Sequence, residues 1–134
     1  MLELNSLEKA VRSFSIAVER WKTVPEDKEV RDSVVQRFEY TYELCHKMLR
    51  RQLQEVAANP SEIASLDYKA LIREAAKFQL ITHPENWFEY RRKRNLASYT
   101  YNEDTAEDVA SSALNFLQDA QDLITCLQKL WVFN

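Results

Sequence analysis

The sequence predicts an all-α protein, an up-and-down antiparallel bundle of four to five helices. Apolar residues recur at spacings of three and four along most of the 134 residues, and no segment alternates with period two over the length of a strand. The hydrophobic fraction of 46% and the charged fraction of 29% are typical of a globular protein. Helices that are each apolar on one stripe bury those stripes against one another, so we expect a single domain over residues 1–134.

The first helix is predicted to begin at Asn5. Asn5 would cap it, and Glu8, three residues on, would reach back as the partner in a capping box. The break that follows spans Lys22 to Asp27, with Pro25 expected in the first turn of the next helix. The apolar stripe of the first helix consists of Leu7, Val11, Phe14, Val18 and Trp21.

A long second helix is predicted from Glu26 to Ala58, about 45 to 50 Å in length. Asn59-Pro60 should end it, because proline disfavours helical geometry in the preceding residue. Its apolar side consists of Val30, Val34, Phe38, Thr41, Cys45, Met48, Leu49 and Val56.

Three further helices complete the expected bundle. The third runs from Asp67, its N-cap, to Leu80, and the short fourth runs from Pro84 to about Ser98. The last begins between Asn102 and Thr105, where acidic residues complement the positive end of a helix. Apolar positions of the third helix are Leu71, Ala75 and Phe78, and those of the last are Val109, Ala113, Phe116, Ala120, Leu123, Leu127 and Leu130, with Glu103, Asp104, Glu107 and Asp108 as its acidic first turns.

The composition excludes several classes of function. The sequence contains no glycine, so neither a P-loop nor a dinucleotide-binding turn is possible. A net charge of −3 argues against broad electrostatic binding to DNA, although a local basic cluster could still hold phosphate. No stretch approaches eighteen uncharged apolar residues and the N-terminus lacks the blocks of a signal peptide, so we expect a cytoplasmic protein with no membrane partner.

Metal and cofactor sites are not expected. Cys45 and Cys126 are too far apart in sequence for a disulfide framework or a zinc knuckle, and we expect both to be buried free thiols. Together with His46 and His83 they give no metal-ligand spacing.

Residues 87–102 are the most unusual segment, because four consecutive cationic residues are flanked there by many aromatic residues. Guanidinium groups could bind phosphate and rings could stack on bases. Alternatively, the cations lie near a helix C-terminus, where they interact favourably with its dipole, and the rings belong to the core. On a helix, Trp87, Arg91 and Arg94 share one face, and Tyr90 and Lys93 share another.

The stretch Arg94-Asn95-Leu96-Ala97-Ser98-Tyr99-Thr100-Tyr101 resembles the Arg-Asn-x-x-Ser-His-x-Tyr motif of the HEPN family, in its branch of nucleotidyltransferase substrate-binding proteins. Further similarities lie at residues 36–44, at residues 72–75, and at Trp87 with Tyr90-Arg91. These matches occur in the right order and cover most of the chain.

The resemblance implies a helical bundle that forms a homodimer and pairs with a minimal nucleotidyltransferase encoded nearby. In related two-gene toxin-antitoxin systems the HEPN protein cuts RNA, and the nucleotidyltransferase silences it by attaching AMP to the motif tyrosine. Carried over to this sequence, the motif arginine is Arg94, the polar residue after it is Asn95, and the modified tyrosine is Tyr101.

The motif histidine is missing, because Tyr99 stands in its place. A histidine exchanges protons near pH 7, whereas a tyrosine, with a reference pKa of about 10, is a poor base there. His46 and His83 do not restore the motif spacing, since neither follows Arg94. The substitution argues against an enzyme.

Three hypotheses follow. The chain is a subunit that binds nucleotide or RNA through Arg91, Arg94, Asn95 and Tyr99 and presents Tyr101 to a nucleotidyltransferase. Alternatively, it is a metal-independent ribonuclease toxin with Arg94 and Tyr99 as candidate catalytic residues, or a structural dimer without a ligand.

Overall fold

The structure is a computed structural model that describes residues 3–132, with side chains described for residues 3–130. Within these residues it is all-helical, which confirms the predicted fold class. There are six α-helices rather than five, because the connection after the second helix contains a short extra one. In chain order they are α1 (Asn5–Thr23), α2 (Lys28–Val56), α3 (Pro60–Ser65), α4 (Tyr68–Lys77), α5 (Pro84–Leu96) and α6 (Glu103–Val132), with a 3₁₀ turn at Ala97–Tyr99 between the last two.

The long helices α2 and α6 form the centre of the bundle. They have 29 and 30 residues and pack against each other, and α1 packs on both of them. The ring of Phe116 in α6 is fully buried, and the rings of Phe38, Tyr90 and Trp87 surround it edge-on at centroid distances of 5.2, 5.0 and 5.7 Å. Burial of these rings fixes α5 against the α2–α6 pair.

The predicted apolar stripes are largely confirmed. All five stripe residues of α1 are buried, as are most of those predicted for α2 and α6. Val56 and Leu130, near helix ends, are 51% and 39% exposed, so their assignment to the core was wrong. Cys45 is a buried free thiol, whereas Cys126 is only half-buried. Within the described residues, every helix is too short or too polar to cross a bilayer.

The predicted capping box of α1 is wrong. Asn5 is the first helical residue, Leu4 is the N-cap without a side-chain bond, and Glu8 has no capping role. The carboxylate of Glu3 accepts the backbone N–H of Asn5 at 2.8 Å. The Glu3 carboxylate therefore accepts the backbone N–H that the predicted box assigned to the Glu8 side chain.

The start of α2 also differs from the prediction. Pro25 lies in the connection between α1 and α2, not in a first helical turn. Asp27 caps α2 instead, because its carboxylate accepts the backbone N–H groups of Glu29 and Val30 at 3.0 and 3.2 Å. At the other end α2 stops at Val56, and the residues predicted to end it begin α3 instead, with Asn59 as N-cap.

Helix α4 begins as predicted and ends early. The carboxylate of Asp67 accepts the backbone N–H of Ala70 at 2.8 Å, which confirms its role as N-cap. After Lys77 the chain turns through Gln79, which has a φ of 62°. The N–H of Leu80 reaches back to the carbonyl of Ala75 at 2.9 Å, the bond pattern of a Schellman motif. Phe78, predicted to face the core, is 48% exposed because the helix ends beside it.

Candidate functional site

The four consecutive cations of α5 have different surroundings. Arg91 is exposed and has no ion pair in the described part of the chain. The other three are each neutralised by a carboxylate of the protein itself. Arg92 pairs with Glu89 at 2.7 Å, Lys93 pairs with Asp108, and Arg94 pairs with Glu43 at 2.6 Å. Arg91 is therefore the cation of this run that is most available to an external anion.

Arg94 is held in place by α2. Its Nε donates to a carboxylate oxygen of Glu43, and 32% of its side chain remains exposed. A guanidinium carries five N–H donors, so this bond leaves capacity for a further acceptor. The ion pair between Glu43 of α2 and Arg94 of α5 thus holds the motif arginine at the surface.

Arg91 stacks on a ring from a different helix. Its guanidinium carbon lies 4.5 Å from the ring centroid of Tyr68, the first residue of α4. The hydroxyl of Tyr68 donates to the backbone carbonyl of Trp87 at 3.1 Å, which fixes the ring. A guanidinium stacked on a ring keeps its edge free for hydrogen bonds to phosphate.

His46 of α2 also contacts this ring. Its imidazole meets Tyr68 edge-to-face at a centroid distance of 5.1 Å, and its Nε2 lies 3.4 Å from a terminal nitrogen of Arg50. Burial, followed by the charges of Arg50 and Arg91, lowers the pKa of His46 below its ordinary value. The sequence pattern did not indicate that His46 or Tyr68 belongs to the site. The spacing of three between Glu43 and His46 on α2 places these two side chains on one helix face, which is the local feature that could have pointed to His46.

Two tyrosines project from the connection between α5 and α6. Tyr101 is 84% exposed and Tyr99 is 53% exposed, and their ring centroids lie 6.4 Å apart. Asn95 is exposed on the last turn of α5. Tyr101 therefore lies on a surface connection, with a ring that solvent can reach.

Ion pairs fix this connection from both sides. On one side Lys93 pairs with Asp108 of α6 while only 6% of its side chain is exposed. On the other, the buried Arg31 of α2 donates to Glu103 at 2.7 Å, and this bond lowers the pKa of the Glu103 carboxyl. Asn102 caps α6 by accepting the backbone N–H of Thr105. Tyr99 and Tyr101 are therefore presented by an anchored backbone.

Two aromatic residues of the basic segment are core residues. Trp87 and Tyr90 are 2% and 3% exposed and pack against Phe116. They cannot stack on an incoming base, so the alternative reading of these rings as core is confirmed. Phe88 is covered in part by Arg73, whose guanidinium lies 5.8 Å from its ring centroid.

His83 does not replace the missing motif histidine. It is the N-cap residue of α5, without a side-chain capping bond, and 63% of its side chain is exposed beside Glu85. Arg94 lies eleven residues along the same helix, a separation of about 16 Å at 1.5 Å per residue. His83 is thus at the opposite end of α5 from the motif arginine.

Comparison with known proteins gives consistent results. The family model described as nucleotidyltransferase substrate binding protein like matches residues 2–129. A Haemophilus influenzae protein named probable ribonuclease HepT is 38% identical over 95 residues, which are 71% of this chain and 65% of that protein. The matched part therefore spans less than two thirds of the curated relative.

Two solved structures share the fold. One, from Haemophilus influenzae, is described as the fold of a substrate-binding domain of a nucleotidyltransferase. It is 32% identical, has a TM-score of 0.87, and the match covers 94% of this chain and 99% of that one. The other is a crystal structure from Thermus thermophilus with 24% identity and a TM-score of 0.74, covering 89% of this chain and 96% of that one.

Proposed function

Because the chain belongs to the nucleotidyltransferase substrate-binding protein family, we propose that it is the substrate-binding subunit of a two-gene minimal nucleotidyltransferase system. In this role it binds nucleotide or RNA and presents Tyr101 to its partner. The observation that carries the proposal is the 84% exposure of Tyr101 on a connection anchored by ion pairs. A partner's active site can reach this side chain without unfolding the bundle.

The proposed reaction transfers AMP from ATP to the protein. The hydroxyl oxygen of Tyr101 attacks the α-phosphorus of ATP and forms a phosphodiester, while the bond to the β-phosphate breaks and pyrophosphate leaves. The phenolic proton passes to a base of the partner. Tyr99 is the competing acceptor, because its ring lies 6.4 Å from that of Tyr101 and is also exposed.

Arg91 and Arg94 are the proposed phosphate contacts. Both are on α5. Arg91 has no carboxylate partner among the residues that the structure describes, and Arg94 has one hydrogen bond to Glu43. Charge-assisted hydrogen bonds from such groups contribute about 1.5 to 3 kcal/mol each. Asn95, exposed on the same helix, adds a neutral donor and acceptor.

The proposed assembly is a homodimer that binds one or more nucleotidyltransferase chains. A direct test is co-expression with the neighbouring nucleotidyltransferase, followed by affinity purification through a tag on one chain only. We expect both chains to elute together, with a mass by light scattering that corresponds to at least two copies of this protein. A monomeric mass and loss of the untagged chain would contradict the assembly.

A ribonuclease toxin is the second candidate, favoured by the name of the Haemophilus influenzae relative. Arg94 would stabilise charge on the phosphorus during cleavage. Tyr99 holds the position of the motif histidine and is a poor base at pH 7, so we expect weak cleavage or none. Strong cleavage that Arg94→Ala abolishes would favour this candidate, and a gain of cleavage in Tyr99→His would show that only the histidine is missing.

A further inference from the structure

We propose that His46, Arg50 and Arg91 form a binding site for a phosphate monoester group where α2, α4 and α5 meet. This site adds a ligand contact to the proposed function. It rests on the proposed function only for the identification of the natural ligand as a nucleotide. The site shares Arg91 with the proposed function and adds His46 and Arg50 of α2, which lie outside the motif. The ligand class follows from the charges and donors gathered there.

The ring of Tyr68 joins Arg91 to His46, and Arg50 lies beside the imidazole of His46. The guanidinium carbon of Arg91 lies 4.5 Å from the ring centroid of Tyr68, and the imidazole of His46 is nearly perpendicular to that ring at a centroid distance of 5.1 Å. Arg50 lies one helical turn beyond His46, with 3.4 Å between their nitrogens. These groups supply guanidinium and imidazole donors over a small area, the chemistry that phosphate oxygens require.

Within the described residues, neither Arg50 nor Arg91 forms an ion pair with a carboxylate. Arg50 donates to the backbone carbonyls of Ile63 and Leu66 at 2.8 and 3.1 Å, and these neutral acceptors do not cancel its charge. The nearby carboxylate is that of Glu43, which is engaged by Arg94 at 2.6 Å. The charges of Arg50 and Arg91 therefore both act on His46, and the Glu43 carboxylate beside them is shared with Arg94. A bound anion would balance the remaining positive charge.

The remaining groups around His46 are neutral tyrosines. Tyr42 of α2 lies 6.3 Å from its ring, and burial raises the pKa of Tyr42 to about 12. Burial also raises the pKa of Tyr68 above its ordinary value. Neither hydroxyl ionises near neutral pH, so the groups that titrate or carry charge around His46 are Glu43, Arg50 and Arg91.

Binding at this site should be coupled to a proton. In the free protein the two guanidinium charges oppose protonation of His46, in addition to its burial. A phosphate dianion beside the imidazole favours the protonated form, so its binding raises the pKa of His46 and takes up a proton. The dianion should accordingly bind more tightly at pH 6 than at pH 7.5 when the affinity is expressed per dianion, because phosphate takes up its own second proton in the same pH range.

The test is histidine NMR on the full chain, with inorganic phosphate and 5′-AMP as probes. The protein has two histidines, so His83, 63% exposed beside Glu85, is an internal control. We expect saturating phosphate to raise the apparent pKa of His46 by about one unit and to leave the ring resonances of His83 in place. Equal shifts of both histidines, or no response of His46 to either probe, would overturn the site.

Matched variants separate the site from general electrostatics. Arg91→Gln should weaken phosphate binding about tenfold, because it removes one charge-assisted contact. Arg92→Gln removes the same charge from the adjacent position, where the arginine is already paired with Glu89, and should weaken binding less than twofold. Equal weakening by both variants would contradict the proposal.

The two proposals fail separately. A response of His46 without AMP transfer to Tyr101 would retain the phosphate site and overturn the proposed function. AMP transfer to Tyr101 without a response of His46 would retain the function and overturn this site.

Discussion

Lys93 of α5 and Asp108 of α6 form an ion pair beside the connection that carries Tyr101. The Lys93 side chain is 6% exposed, while that of Asp108 is 55% exposed. A buried ammonium requires its carboxylate partner more than an exposed one does, because water cannot replace it. The pair therefore ties the end of α5 to the start of α6 and fixes the span of the connection between them.

Asp108→Ala should destabilise the protein through this pair. We expect the free energy of unfolding to fall by about 1 to 3 kcal/mol, less than for a fully buried pair because Glu89 lies 3.6 Å from the Lys93 ammonium and remains. Asp104→Ala, which removes an exposed carboxylate from the same end of α6, is the control and should cost less than about 1 kcal/mol. Urea unfolding measures both, and equal losses would show that the Lys93 pair contributes nothing.

Phe116→Ala should cause a large loss of stability. Its ring is fully buried among the rings of Phe38, Trp87 and Tyr90, and removal leaves a cavity that these cannot fill. We expect a cost of about 3 to 5 kcal/mol. Phe78→Ala removes the same ring at a site that is 48% exposed and should cost about 1 kcal/mol or less. Thermal unfolding of both variants decides this, since similar melting temperatures would contradict the assigned core.

Gln79→Gly should stabilise the protein, although glycine usually destabilises. Gln79 has a φ of 62°, a left-handed conformation that glycine adopts without the steric cost of a Cβ. We expect a gain of about 0.5 to 1 kcal/mol. Gln121→Gly, at an exposed position inside α6, should instead cost about 1 kcal/mol. Chemical unfolding should show opposite signs, and a loss in both variants would contradict the left-handed assignment.

The lowered pKa of His46 predicts a pH dependence of stability. At pH values between 6.5, the ordinary pKa of a histidine, and the lower pKa of His46 in the folded protein, His46 is protonated to a greater extent in the unfolded chain than in the folded protein. The stability that neutral His46 contributes is therefore present above pH 6.5 and lost as the pH falls through that window. His46→Asn should flatten the decline in the free energy of unfolding between pH 7 and pH 5. An unchanged slope in His46→Asn, from urea unfolding at several pH values, would contradict the shift.

The bundle could be predicted from the sequence because helix stripes are local patterns. Leu7 to Trp21 and Val109 to Leu127 recur at spacings that leave little choice of structure. The missed features depend on single bonds at helix ends. One example is the cap of α2 at Asp27. Another is the left-handed Gln79 after α4, where the sequence lacks the glycine that ordinarily marks such a turn.

The candidate site likewise has one part that the sequence motif indicates and one part that it does not. Arg94 and Tyr101 lie within one short motif, so the sequence alone brings them together, and both side chains reach the surface in the structure. His46 and Tyr68 come together with Arg91 only through the packing of three helices, and no periodicity encodes a contact between residues more than twenty positions apart. Such contacts are set by tertiary structure.

The central claim is that Tyr101 is the group presented to the nucleotidyltransferase. The most direct measurement is intact-mass and peptide mass spectrometry after incubation with the neighbouring nucleotidyltransferase, ATP and magnesium. We predict an added AMP on Tyr101 that is lost in Tyr101→Phe and retained in Tyr99→Phe, the matched exposed tyrosine. Label on another residue, or label undiminished in Tyr101→Phe, would contradict the claim.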